Sequence, residues 1–191
     1  GLSGSSHNKG VLIISGYIKE LFGKHIPLNF NASLVFEQGY GMIDGDSASV
    51  SEIAALISCL SEIPINQQYA VTGSVNQKGD IQPIGGVNEK IEGFFDICRI
   101  KGLTGKQAVI IPFQNKQDLM LKDEVIDAVK QNKFNIYEVY NIEQALELLM
   151  GVKVSKRDAK GKFEKDTLFY IVEQKLIEMQ KKAKQSNTNP K

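Results

Sequence analysis

Two short segments of this 191-residue chain hold the residues whose types and spacing could do chemistry. The first reads Gly41-Met42-Ile43-Asp44-Gly45-Asp46-Ser47-Ala48-Ser49-Val50-Ser51-Glu52 and sets Ser47 on an acidic turn just ahead of a helical pattern. The second, Ile84-Gly85-Gly86-Val87-Asn88-Glu89-Lys90, does the same for a lysine. A hydroxyl and an amine, each held at a helix entrance, are the minimum parts of a serine nucleophile with a lysine base. Backbone N–H groups at the start of a helix lack intrahelical acceptors, so the turn around Ser47 also offers donors to an oxyanion. The helix dipole favours the same negative charge. His7 and His25 stand in no comparable setting, so a histidine-based triad is not expected.

The base sets the harder condition. A free lysine, with pKa ~10.4, is almost all ammonium at neutral pH and cannot accept a serine proton. A place in a first helical turn, with Asn88 as cap, disfavours the cation, and an apolar wall of Ile84, Ile91 and Phe94 would add to this. Ser49-Val50-Ser51-Glu52 matches a capping box, with Ser49 as N-cap and Glu52 reaching back. Taken alone, that segment also fits an Asp-Gly turn with an ordinary cap; the pairing with Lys90 is what gives it chemical meaning. A calcium loop fails, because Ser49 stands at the required glycine and Ala55 at the twelfth position.

The positioning elements follow from periodicity. Strand-like runs occur at 11–14, 33–37, 69–75, 81–84, 108–111 and 136–139. Asn76 to Asp80 joins two of them as a hairpin. Helical patterns lie between: a short helix capped by Ser15 and stopped by Gly23, then 49–60, 88–101, 123–131 and 141–150. The fold class is therefore α/β (α+β), with mixed parallel and antiparallel strands flanked by helices, plus a C-terminal amphipathic helix opening near Asp166. Its apolar face is Leu168, Ile171, Val172, Leu176 and Met179.

The expected organisation is a linker at 1–7, a main domain at 8–152, a basic linker and helix at 153–184, and a disordered tail at 185–191. Lys and Arg number 23 against 22 Asp and Glu, which gives no reason to expect nucleic acid as the main partner. No apolar run approaches a membrane span, and no secretory signal opens the chain. Cys59 and Cys98 are too few and too far apart for a disulfide framework or zinc site and are expected to be small buried thiols, which fits a cytoplasmic location.

Together these segments resemble the proteolytic domain of Lon-type ATP-dependent proteases, over residues 8–151. Gly45-Asp46-Ser47-Ala48-Ser49 is similar to the nucleophile motif of the archaeal membrane-type branch and of bacterial Lon-like relatives. Ala70-Val71-Thr72-Gly73-Ser74-Val75 with Lys78-Gly79-Asp80 resembles the central hairpin, Pro83 to Lys90 the lysine motif, and Val109-Ile110-Ile111-Pro112 with Asn115 the strand and loop that follow. Bacterial Lon proper has proline and glycine where this chain has Asp46 and Ser49, which points to a different branch.

The resemblance implies a serine endopeptidase with Ser47 as nucleophile and Lys90 as general base. It implies that Thr72 orients the lysine and that Asp44 either contacts the lysine or blocks the site. It also implies a homo-hexameric ring, unfolded polypeptide substrates, and an AAA+ ATPase region. This chain has no G-x-x-x-x-G-K-[ST] phosphate loop, so no cofactor is expected in it, and ATP-Mg is expected only through that further region. The alternatives are a catalytically silent module for assembly or peptide binding and, disfavoured by the neutral charge, an RNA-binding domain.

Overall fold

The computed structural model describes residues 3–188, apart from 29, 38 and 40. The order is α1 (Ser5–Ile18), a π-helical turn (Lys19–Gly23), α2 (Ser49–Ser61), β1 (Tyr69–Val71), β2 (Ser74–Val75), β3 (Ile81–Gln82), α3 (Val87–Lys101), β4 (Ala108–Pro112), a 3₁₀ turn (Phe113–Asp118), α4 (Asp123–Lys130), β5 (Asn135–Val139), α5 (Ile142–Met150) and α6 (Leu168–Thr188). β1, β4 and β5 form a parallel sheet with β4 in the middle, and β2 and β3 pair antiparallel. The mixed class read from the sequence is the observed one.

The central strand shows how the layers are set. β4 is buried along its whole length, as a parallel strand covered on both faces must be. Its side chains alternate: Ile110 enters one core with Ile53, Ile57, Leu146 and Val172. Val109 and Ile111 enter a second core with Ile91, Phe95, Val125 and Phe134. Thus α1, α2, α5 and α6 lie on one face of the sheet, and α3 and α4 on the other.

The run at 69–75 is two strands rather than one. After a last bond from the Thr72 N–H to the Ile110 carbonyl (3.1 Å), the backbone leaves the ladder at Gly73 and binds the entrance of α2 instead. The Gly73 N–H donates to the Ser47 carbonyl (2.8 Å), and the Val50 N–H donates to the Gly73 carbonyl (3.2 Å). Gly73 is required by this close approach, since a Cβ there would stand 2.8 Å from Val50 Cγ2. The hairpin loop is as expected, with Gly79 at φ 87° and the Asn76 N–H donating to the Asp80 carbonyl (3.0 Å).

Several expectations are corrected. Residues 11–14 lie inside α1: its buried face is Gly10, Ile14, Tyr17 and Ile18, a helical period extending beyond the apolar run. Because α1 begins at Ser5, part of the supposed linker at 1–7 is helical; residues 1 and 2 lie outside the described residues. Residues 33–37 form no strand, since no described residue makes a ladder with them, and Leu34, Val35 and Phe36 stay exposed. The basic stretch at 153–165 packs onto the first core: Phe163 is buried in an edge-on ring cluster with Phe22 and Phe169. Arg157 joins it to α6 through Glu173 (2.7 Å) and to the π-helical turn through the Leu21 carbonyl.

In α6, Leu168, Phe169, Val172 and Leu176 are buried, whereas Met179 is exposed. The helix continues to Thr188, through part of the expected tail; 189–191 lie outside the described residues. Cys98 is buried as expected, but Cys59 is exposed on α2. Among the described residues, no helix is long and apolar enough to cross a membrane.

Candidate active site

Ser47 sits two residues before α2, at the carboxyl end of β1, and its carbonyl is gripped twice. The Gly73 N–H donates to it, and so does the Thr72 hydroxyl (3.2 Å). The cap differs from the expected capping box. Ala48 is the N-cap, and the Ser49 hydroxyl turns back to donate to the Asp46 carbonyl (2.7 Å). The Ser49 and Val50 amides are bonded to the Asp46 and Gly73 carbonyls, whereas those of Ser47 and Ala48 have no backbone acceptor among the described residues. With the Ser51 amide, which likewise has none, these are the donors left at this helix entrance.

Lys90 arrives from the other face of the sheet. α3 begins at Val87 behind Gly86, whose φ of 68° makes the sharp entry. Asn88 is inside the helix and ties α3 to the loop after β4, donating to the Asp118 carbonyl (2.9 Å) and accepting from the Met120 N–H (2.8 Å). Lys90 is therefore the fourth residue of α3, and its Nζ stands 3.1 Å from Ser47 Oγ and 3.5 Å from Thr72 Oγ1. Thr72 is buried, but Lys90 is exposed. The apolar wall expected around Lys90 faces elsewhere, because Ile91 and Phe95 fill the second core, with Ile84 and Phe94 packed against it.

The fourth residue, Asp44, is not brought to the lysine. Its Oδ1 accepts from the Ser6 (3.0 Å) and His7 (3.1 Å) N–H groups at the start of α1. Bonds from the backbone of Gly45, His7 and Ser6 hold its carboxyl below the usual carboxylate range. Asp44 thus satisfies donors of α1 and ties that helix to the turn carrying Ser47.

Residues to which the sequence pointed in another role, or in none, complete the setting. Glu52 does not reach back to the α2 entrance. It is buried, its Oε1 has no hydrogen-bond partner among the described residues, and His7 Nε2 lies 3.6 Å away. Burial raises its pKa, and the nearby His7 partly opposes this. The Ser74 hydroxyl donates to Asp46 Oδ2 (2.9 Å). The sequence held a signal for Ser74, since Thr72 and Ser74 are two apart, the spacing that puts two hydroxyls on one face of extended chain.

An open pocket of about 230 Å³ lies over these groups, lined by Ser47, Ala48, Ser51, Ala70, Val71, Thr72, Lys90 and Val109. A larger cavity of about 320 Å³ beside Tyr17 and Phe163 includes neither Ser47 nor Lys90. The smaller pocket is therefore the one where a nucleophile and an amine meet.

Comparison with known proteins gives the context. The family model described as the Lon protease (S16) C-terminal proteolytic domain matches residues 32–151. A Lon protease homolog of Escherichia coli (strain K12) is 48% identical over 151 residues, covering 79% of this chain and 26% of that protein. One from Haemophilus influenzae is 51% identical over 150 residues, covering 78% and 25%. An archaeal Lon protease of Pyrococcus abyssi is 34% identical over 158 residues, covering 83% and 14%. The chain thus spans about a quarter of the bacterial relatives' length and less of the archaeal one.

Proposed function

Because this chain belongs to the Lon protease (S16) C-terminal proteolytic domain family, we propose that it is a serine endopeptidase acting through a Ser47–Lys90 dyad. The observation that carries this reading is the 3.1 Å separation of Lys90 Nζ and Ser47 Oγ, brought together from opposite faces of one sheet. It is within hydrogen-bond reach for proton transfer.

In this mechanism the neutral Lys90 amine takes the Ser47 hydroxyl proton as Oγ bonds to a peptide carbonyl carbon. The carbonyl electrons move to oxygen, and the unbonded amides at the α2 entrance face the charge that develops. Lys90 returns the proton to the leaving amine as the C–N bond breaks, leaving an acyl-enzyme on Ser47. A water, deprotonated by the same amine, then releases the acid. Thr72 is a positioning residue that touches both the Ser47 carbonyl and the lysine. Asp44 acts on the turn through α1 rather than on the amine. Ala48, Ala70, Val71 and Val109 give the pocket a small apolar lining for a substrate side chain.

Unfolded polypeptide is the proposed substrate, in a cytoplasmic homo-hexamer, with no nucleic acid needed for cleavage. Lacking a phosphate loop, this chain takes no ATP in the mechanism; ATP-Mg would act through an ATPase region of a longer protein. A catalytically silent module is the second reading. The convergence of Ser47, Lys90 and Thr72 favours the enzyme, since a binding module needs no such meeting.

The test is cleavage of an unstructured fluorogenic polypeptide by this chain and by Ser47→Ala and Lys90→Ala, from about pH 6 to pH 10. Activity lost in both variants while their folds persist supports the dyad. Full activity in either removes that residue from the mechanism.

A further inference from the structure

Three carboxylates surround Ser47 in sequence, and none of them is recorded in contact with Lys90. Asp44 is held by α1, and Glu52 lies against His7. Asp46, the residue immediately before the nucleophile, is held through both its side chain and its backbone carbonyl. Its Oδ2 accepts from the Ser74 hydroxyl at 2.9 Å, and its carbonyl accepts from both the Ser49 hydroxyl (2.7 Å) and the Ser49 N–H (3.1 Å). Ser74 is buried in β2, where register pairs it with Gln82. On another side, Gly10 of α1 leaves room for Asp46: a Cβ at Gly10 would stand 3.3 Å from Asp46 Cβ and 3.4 Å from Ser49 Oγ.

These contacts form a rack. Thr72, Gly73 and Ser74 are consecutive, and they grip Asp46, Ser47 and Val50 through four hydrogen bonds. We propose that Asp46 and Ser74 form a positioning latch, whose hydrogen bond fixes the turn so that Ser47 Oγ faces Lys90. The inference rests on the dyad reading for its catalytic meaning. A hydrogen bond to a carboxylate is stronger than a neutral one, so it suits a turn that must hold an angle rather than add bulk. Neither residue touches the reacting atoms. Their effect reaches them through the Asp46–Ser47 peptide, where a misplacement of about 1 Å can cost on the order of a hundredfold in rate.

The test uses Ser74→Ala, Ser74→Thr, Asp46→Ala and the double variant Asp46→Ala/Ser74→Ala, with peptide cleavage and backbone hydrogen exchange measured on each. Ser74→Ala should lower kcat about tenfold or more, as loss of a charged hydrogen bond implies, with KM changed less than about twofold. Ser74→Thr should restore most of the rate, and the double variant should be little worse than either alanine variant alone. Amides at residues 49 and 50 should exchange faster in Ser74→Ala, while the central strand β4 keeps its protection.

An unchanged kcat in Ser74→Ala, or fully additive losses in the double variant, would overturn the latch. So would unchanged exchange at 49 and 50, even if the wild-type chain proved inactive. Wild-type inactivity with faster exchange would instead strike the proposed function and leave the latch standing as a structural device.

Discussion

Gly73→Ala changes one hydrogen into a methyl group at the point where β1 ends and the Ser47 turn is seized. Gly73 does not use a positive φ, so alanine suits its backbone and the effect is steric. The new Cβ would meet Val50 Cγ2 at 2.8 Å, Ile81 Cγ2 at 3.2 Å and Pro112 Cγ at 3.7 Å. Ordinary contacts start near 3.4 Å, so the first must open by roughly half an ångström. Val50 and Ile81 are both buried to within 1% of full burial and have little room to retreat. Overpacking of this kind costs about 1–3 kcal/mol. Relief by separation would also stretch the Gly73–Ser47 and Val50–Gly73 hydrogen bonds, so the turn should suffer with the core. Urea denaturation should show a lower midpoint with an unchanged slope, and peptide cleavage should fall by more than the folded fraction does. Adding Val50→Ala should recover part of the loss, a coupling of about 1 kcal/mol between neighbours. Wild-type stability and rate in Gly73→Ala would refute the close-approach argument.

Other outcomes follow from single residues. Thr72→Val, nearly isosteric, removes the hydroxyl shared by the Ser47 carbonyl and Lys90, and should cost about 1 kcal/mol of stability with a clear fall in kcat; kinetics and a melt separate the two effects. Phe169→Ala empties a fully buried site in the Phe22–Phe163–Phe169 cluster and should cost about 3–5 kcal/mol by denaturant titration, showing that α6 belongs to the core. Glu52 has a raised pKa because burial penalises its charge, so it binds its proton more tightly folded than unfolded. Its ionisation therefore destabilises the fold as pH rises above 4.5, the unfolded value, through the folded one. Compared with wild type, Glu52→Gln should gain stability over that rise, and a stability difference that stays flat with pH would contradict the assignment.

The meeting of Ser47, Lys90 and Thr72 in one candidate site was legible in the sequence. Ser47, Lys90 and Thr72 stand in motifs whose order and spacing survive in three dimensions, because each is anchored near the end of a regular element. The layers were legible too, since β4 reads as an apolar run and the helices carry clear stripes. What misled was local. Residues 11–14 are all apolar and three of them are β-branched, and their helical register shows only when Gly10, Tyr17 and Ile18 are counted with them. Residues 33–37 carry the apolar run Leu34-Val35-Phe36, of strand length, but strand formation depends on a partner, which sequence patterning does not specify. Ile91 is adjacent to Lys90 in sequence, yet a helix sends neighbours to different faces, and Ile91 turns into the second core. The roles of Asp44, Glu52 and His7 depend on contacts about 40 residues apart along the chain.

The most direct measurement is covalent. The chain would be treated with a peptidyl phosphonate that phosphonylates serine nucleophiles, and the adduct mapped by intact mass and fragmentation in wild type, Ser47→Ala and Lys90→Met. The account predicts one adduct on Ser47 in the wild type, none in Ser47→Ala, and labelling slowed by at least about a hundredfold in Lys90→Met, where the base is lost. Labelling of another serine, or of Ser47 at an undiminished rate without the lysine, would contradict the dyad.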